Sequence, residues 1–317
     1  MKLLITGGCG YVGTELIKSL LKKNYKIINV DNQWFGNFLP QHKNLKNLKL
    51  DIRQIDKINF IGIDAIVHLA GVANDPSAEL NEKLSWDINV LATKFLIEKA
   101  IKFKVKKFIF ASSGSVYGIK KEKVVTEDLI LKPISIYNKT KMIAENVLMS
   151  YKDQIQVFCI RPATVCGYSD RMRFDVSVNM LTYQALAKKQ ITVFGGNQIR
   201  PNIHIKDMIR VYDFFLTNKK LKTDYYNAGF ENISIKDLAY KINKIIPSKI
   251  KIVTSNDPRS YRQSSKKLLS MGFIQKYSVE DAILDLKQRY QLNNLVSFDR
   301  NYNVKWMKLI KIDGKRN

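Results

Sequence analysis

The most restrictive feature of this chain lies at its start. Lys2-Leu-Leu-Ile-Thr6 is a short apolar run, and Thr6-Gly7-Gly8-Cys9-Gly10-Tyr11-Val12-Gly13 follows it directly. From Tyr11 to Lys23, apolar residues recur at Val12, Leu16, Ile17, Leu20 and Leu21, a helical spacing. Strand, glycine turn and helix in that order leave few folds open. Gly7 permits a tight exit from the strand, Gly10 lets backbone N–H groups approach a diphosphate, and Gly13 lets the helix pack closely on the sheet. The helix N-terminus then faces anionic oxygens. Asp31 follows Gly13 by eighteen residues, at the end of a second apolar run, Lys26 to Val30. A carboxylate there accepts hydrogen bonds from both ribose hydroxyls and repels a 2′-phosphate, so the dinucleotide expected is NAD rather than NADP.

The alternation continues. Strands are predicted at Leu48–Leu50, Ala65–Leu69, Lys107–Ala111 and Ile155–Ile160, with a helix over Asn81–Ile101. Right-handed βαβ crossovers then build an α/β fold, a Rossmann-type doubly wound parallel sheet, with ligand at the carboxyl ends of its strands. Beyond residue 162 the rhythm changes. Helices are predicted at Val176–Lys188, Lys206–Thr217 and Ser234–Ile246, with a short strand at Ile191–Phe194. We divide the chain into a dinucleotide-binding domain over 1–162, a smaller α/β substrate-binding lobe over 163–290 and an unassigned tail over 291–317.

Composition narrows the function classes. The 317 residues, 45% of them hydrophobic, suffice for a full core. Cys9, Cys159 and Cys166 make an odd count without a Cys-x-x-Cys pair, which speaks against a disulfide framework or a thiolate zinc site. His42, His68 and His204 fall on separate elements, and no metal is expected. A net charge of +25 comes from 42 Lys and only 11 Arg, scattered singly or in pairs. Nucleic-acid readers concentrate Arg and aromatics, so this excess reads as solvated surface and no nucleic-acid partner is expected. Neither a signal peptide nor a run of about 18 apolar residues is visible, so a cytoplasmic protein without membrane attachment is expected.

Two segments carry chemistry. The strand ending at Ala111 runs into Ser112-Ser113-Gly114-Ser115-Val116-Tyr117-Gly118, and Tyr137-Asn138-Lys139-Thr140-Lys141 opens a helix to about Ser150. Tyr137 and Lys141, four apart, share a helix face. A free phenol titrates near 10, too high for a base at neutral pH. A neighbouring ammonium and the positive nicotinamide ring would draw that value down.

With these residues the chain resembles the extended short-chain dehydrogenase/reductase superfamily, in its nucleotide-sugar epimerase and dehydratase branch. The resemblance also rests on Asp51-Ile52-Arg53, His68-Leu69-Ala70-Gly71, Asn89, Arg161-Pro162, Arg200 to Asp207 and Asn227-Ala228-Gly229. It implies that Tyr137 is the base, that Lys141 tunes it and holds the nicotinamide ribose, and that Ser113 orients the sugar hydroxyl. Asp51 and Ile52 would flank adenine, and Leu69, Ala70 and Gly71 would line the phosphates and ribose. Tyr11, Val12, Asn32 and Asn89 complete the implied cofactor set.

The implied reaction is oxidation at C4 of a nucleotide-activated sugar to a 4-keto intermediate. Dehydratases of this branch carry an Asp-Glu pair directly after the serine or threonine, where this chain has Gly114-Ser115. A 4-epimerase is therefore preferred, with a C4 dehydrogenase as the alternative, a 4,6-dehydratase disfavoured, and a non-catalytic NAD-binding or RNA-associated protein as the reading from another class. The implied substrate contacts are Ser115, Asn179, Arg171, Arg173, Arg200 and Arg259, the arginines suiting a diphosphate through their planar forks. The alternative for each arginine is an ordinary surface ion pair, less favoured for Arg200 than for Arg171, Arg173 and Arg259. Similar enzymes pair through the helices at about 81–101 and 137–150, which implies a homodimer built on a four-helix bundle.

Overall fold

The computed structural model describes residues 1–255 and 260–312. Seven parallel strands form the main sheet: β1 (Lys2–Thr6), β2 (Lys26–Asp31), β3 (Leu45–Lys49), β4 (Ala65–His68), β5 (Lys107–Ala111), β6 (Gln156–Pro162) and a later strand, Asp224–Ala228. Their spatial order is β3-β2-β1-β4-β5-β6 followed by Asp224–Ala228. Leu3, Leu4, Ile5, Ile66, Val67, Phe108, Ile109 and Phe110 are almost inaccessible, as strands covered on both faces must be. The order reverses between β1 and β4, and a crevice opens beyond their carboxyl ends.

Helix α1 (Tyr11–Lys22) starts at the glycine turn. A short helix α2 (Asp75–Ala78) precedes the helix predicted over 81–101, which runs as α3 (Glu82–Trp86), a π-helical turn over Asp87–Leu91 and α4 (Ala92–Lys102). Asn89 lies in that turn. Its Oδ1 accepts from Val72 N–H (2.8 Å) and its Nδ2 donates to Thr140 Oγ1 (3.0 Å). A wide turn of this kind re-aims a side chain that regular α geometry would send elsewhere. Helix α5 (Ile136–Met149) carries Tyr137 and Lys141, and its N-cap Ser135 accepts from Asn138 N–H.

The second half adds β7 (Thr164–Cys166), α6 (Ser177–Lys188), β8 (Gln190–Phe194), β9 (Ile199–His204), α7 (Ile205–Thr217), β10 (Asp224–Ala228, the seventh strand above), β11 (Glu231–Ser234), α8 (Ile235–Ile245) and β12 (Lys249–Val253). It ends with α9 (Lys266–Ser270), α10 (Val279–Gln291) and α11 (Asn303–Leu309). Strands β11, β9 and β7 make one small sheet, and β12 pairs with β8. The lobe is laced into the main sheet, because β10 pairs in parallel with β6 and Lys23 on α1 meets Asp213 on α7 (2.6 Å). Among the described residues no helix is long and apolar enough to cross a membrane, and no cluster of His, Cys, Asp and Glu could hold a metal ion.

Candidate active site

The crevice is a cavity of about 650 Å³ between sheet and second lobe. At its floor the chain leaves β1 through Gly7 at φ +75°, where an added Cβ would stand 2.5 Å from Ala70 N. A Cβ on Gly13 would stand 2.5 Å from Gly7 O. The turn can therefore press against β4 and still offer backbone N–H groups to the cavity. Asp31 is tied into it, its Oδ2 accepting from Cys9 N–H (2.9 Å) and its Oδ1 from Gln33 N–H (2.6 Å). Burial raises the Asp31 pKa, and these two N–H groups together with Arg171 oppose the rise. Burial first, then the Asp31 charge, pushes the Cys9 thiol up to about 12, so it is a filler rather than a nucleophile.

Gly7, Gly10, Tyr11, Val12, Gly13, Asp31, Asn32, Ile52, Leu69, Ala70 and Gly71 all border this cavity, as do Ser113, Ser115, Tyr137 and Lys141. Glycine loop, Asp31 carboxylate and flanking apolar wall form one continuous surface that fits a dinucleotide. Two expected cofactor residues are elsewhere. Asp51 is not in the wall, since Arg53 grips its carboxylate (Nε–Oδ1 2.9 Å, Nη2–Oδ2 2.8 Å). Asn89 stands behind Gly71 as the brace described above, where a Cβ on that glycine would come within 2.9 Å of Asn89 Oδ1 and 3.4 Å of Lys141 Nζ.

At the reacting end, Ser113 caps a short 3₁₀ turn, Gly114–Tyr117, and its Oγ lies 2.7 Å from Ser115 Oγ. Lys141 Nζ donates to Ala111 O (2.8 Å) and stands 6.0 Å from the centre of the Tyr137 ring. Burial brings the lysine down to about 8, against the pull of Glu145. Burial likewise pushes the Tyr137 phenol up to about 12. The Ser113 hydroxyl works the other way, Asp75 adds to the rise, and the Arg173 charge lowers it. Arg173 is thus a further cation whose charge reaches the phenol, in addition to Lys141 over its ring. His68, between Thr6 Oγ1 (2.6 Å) and Thr93 Oγ1 (2.8 Å), is driven down to about 3 by burial and by Lys141 and stays neutral.

On the second lobe, Arg173 Nε donates to Asp175 Oδ1 (2.8 Å), and both residues line the cavity with Arg200. Asn179 does not reach it. Its Oδ1 accepts from Gly167 N–H (2.9 Å) and its Nδ2 donates to Tyr11 Oη (3.0 Å) and Arg173 O (3.0 Å), a buried strut with every polar atom in use. The Tyr11 side chain is spent on the same lobe junction, donating to Gly167 O (2.6 Å). Arg171, expected on the substrate side, lies against Phe35 and Asn303 and is influenced by Asp31, at the dinucleotide end. Arg259 lies outside the described residues.

Among the wall residues with no place in the sequence reading are Asp75, Asp175, Phe35 and Asn303. The first two carried a signal. Asn74-Asp75-Pro76 is a helix-start pattern directly after the β4 crevice, and Asp175 follows Arg173 by two residues. Removing the Arg173 charge should raise the Tyr137 pKa further, so the rising limb of kcat against pH in Arg173→Met moves to higher pH. Arg173→Lys should return part of the way.

A dinucleotide cradle opening onto a Ser-Tyr-Lys set defines a class, the enzymes that exchange hydride and proton with a secondary alcohol. The chain belongs to the NAD dependent epimerase/dehydratase family, whose model matches residues 3–229. It is 33% identical over 246 residues to a Bacillus subtilis protein named as the uncharacterized UDP-glucose epimerase YtcB, covering 72% of this chain and 77% of that one. It is 27% identical to the UDP-glucose 4-epimerase of Lactobacillus helveticus, over 89% and 95% of the two chains. The solved UDP-glucuronic acid 4-epimerase of Bacillus cereus, with UDP-glucuronic acid and NAD, superposes with a TM-score of 0.78 at 26% identity, over 92% of this chain and all of that one.

Proposed function

We propose that this enzyme is a 4-epimerase of a UDP-hexose. Tyr137 takes the proton of the sugar C4 hydroxyl and Ser113 holds that oxygen in line. Bound NAD would supply a reversible hydride acceptor at C4. The protonated phenol then returns its proton to O4 when the hydride arrives on the opposite face of the ketone. Redox state and protons balance over the cycle.

The observation that carries this reading over dehydration is Gly114. Its Cβ position would lie 2.7 Å from Gln263 Oε1, 3.1 Å from Pro162 O and 3.2 Å from Tyr261 Oη, so packing occupies the place where a dehydratase acid would stand. The nearby Asp75 accepts from the Ser135 hydroxyl. UDP, and glucose with its C4 epimer, are favoured by the names of the relatives above.

The test is to supply UDP-glucose or UDP-galactose and follow the anomeric proton by NMR. Epimerisation produces the same mixture from either sugar. A released 4-keto sugar with stoichiometric NADH would make this a dehydrogenase, and a 4-keto-6-deoxy product a dehydratase.

We also infer a homodimer through α4 and α5. Leu91 at the end of the π turn is 47% exposed and Phe95 on α4, one turn on, 52%, an apolar stripe beside the Lys94–Glu98 pair. Phe95→Glu should halve the mass measured by light scattering, and an unchanged mass would remove this face as the interface.

A further inference from the structure

Arg171 is 3% exposed, and its Nη2 donates to Asn303 Oδ1 (2.6 Å). Its guanidinium carbon lies 4.1 Å from the centre of the Phe35 ring. Nε and Nη1 are buried with no hydrogen-bond partner. A guanidinium has five N–H donors, and leaving buried donors unmet is costly, the more so on a charged group. Burial, then repulsion from Arg173, pushes its pKa down to about 9, while Asp175 and Asp31 attract it. Nature rarely retains such an arrangement unless an anion completes it.

The surroundings say which anion. Arg171 borders the cavity with the glycine turn and Asp31, and it rests on Phe35, four residues beyond that acid. These are dinucleotide-side neighbours, whereas Arg200 sits on β9 in the second lobe. A two-toothed donor facing the turn that offers backbone N–H groups suits a diphosphate held from both sides.

What holds Arg171 is equally specific. Asn303 N–H donates to Asp175 Oδ2 (3.1 Å), Asn301 Nδ2 donates to Met172 O (3.1 Å), and Asn301 O accepts from Phe174 N–H (2.9 Å). Three residues after Asn303 the same segment reaches the other wall, where Trp306 Nε1 donates to Trp34 O (2.5 Å). The stretch 299–309 therefore ties the arginine loop to the loop after Asp31. It also lies beyond residues 3–229, the part matched by the family.

We propose that Arg171 clamps the diphosphate of bound NAD and that Asn303 is its positioning residue, so that the C-terminal segment governs how long the dinucleotide stays. This rests on NAD as the cofactor and is independent of which sugar is turned over.

The experiment uses the full chain and reads binding instead of turnover. NAD content after gel filtration, the NAD dissociation rate after dilution into an NAD-consuming trap, and calorimetric Kd values for NAD and for uridine diphosphate are compared among variants. Arg171→Met should weaken NAD ten-fold or more and leave uridine diphosphate within two-fold, with Arg171→Lys between. Asn303→Ala should speed NAD release several-fold and add nothing in the Arg171→Met background, as expected for groups acting as one unit. Trp306→Phe leaves the arginine intact and should also speed release, which covers the case in which Arg171→Met does not fold. Weaker uridine diphosphate with unchanged NAD would hand Arg171 to the substrate. Unchanged NAD release in Asn303→Ala and Trp306→Phe would overturn the role of the segment.

Discussion

Tyr137→Phe should lower kcat by roughly a hundred- to ten-thousand-fold, the range that a positioned acid–base group contributes. Tyr137 lies in the cavity wall beside Ser113, and the carboxylates and imidazole nearest to it are committed to other partners. Asp75 is engaged by Ser135, Asp175 by Arg173, and His68 is neutral on the far side of Lys141. The substitution removes one oxygen from a ring that keeps its packing against the apolar cluster of β4, β5 and α5. Thermal stability and NAD content should therefore match the parent. Absorbance offers a direct check: with its sugar, the parent builds a band of reduced nicotinamide during turnover and Tyr137→Phe does not. Turnover at the parental rate would show that the base is another group.

The pH profile carries a sign of its own. Tyr137 must be ionised to accept a proton, and burial holds its phenol up at about 12 in the protein alone. Lys141 is charged below about 8. Activity should thus rise with pH while the phenol ionises, with bound positive nicotinamide pulling that ionisation toward neutrality. For stability, the folded lysine binds fewer protons than the unfolded one between about 8 and its ordinary value near 10.4. This group therefore destabilises the fold at low pH and ceases to do so as pH rises through that window.

These residues were legible because their relations are local. The glycine turn, its acid on the next strand and the Tyr-Lys pair one helical turn apart lie within short stretches, and strand–helix alternation places them at one sheet edge. Residues the sequence leaves open are those whose hydrogen-bond partners only the fold shows. Asn89 and Asn179 carry amides that suit a ligand, and only the fold shows those amides spent on Val72, Thr140, Gly167 and Tyr11. Asp51 is withdrawn by its neighbour Arg53, a pair that spacing permits but does not compel. Asn303 meets Arg171 across 132 residues, with no periodicity in the tail to announce the helix that brings it there. The π turn at Asp87–Leu91 was hidden for another reason: its apolar spacing still satisfies a helical pattern, and the tertiary pull of Asn89 decides the local geometry.

Glu145→Gln should cost stability on the order of 3 kcal/mol, the largest effect expected of a single substitution away from the reacting groups. Glu145 on α5 is 0% exposed and Arg161 on β6 is 3% exposed at their side chains. The pair is bidentate, Nε–Oε1 2.9 Å and Nη2–Oε2 2.7 Å. Arg161 Nη1 also donates to Tyr117 Oη (2.9 Å), and Tyr117 Oη in turn donates to Asn227 Oδ1 (2.7 Å). Burial opposes the charge on Arg161, and the Glu145 carboxylate with Tyr117 more than restores it. Neutralising Glu145 leaves that cation buried against an amide, and breaking one half of such a pair costs roughly 3–5 kcal/mol. Replacing both members by apolar groups of similar size is often near neutral, so Glu145→Leu with Arg161→Met should recover most of the loss in denaturant midpoint. The pair clamps α5 to the sheet two turns beyond Tyr137, so the single variant should also lower kcat more than it changes KM. A double variant with restored midpoint and restored kcat would mean that packing alone suffices to hold the base. Restored midpoint with kcat still low would show that the ion pair sets the orientation of the helix on which the base is carried.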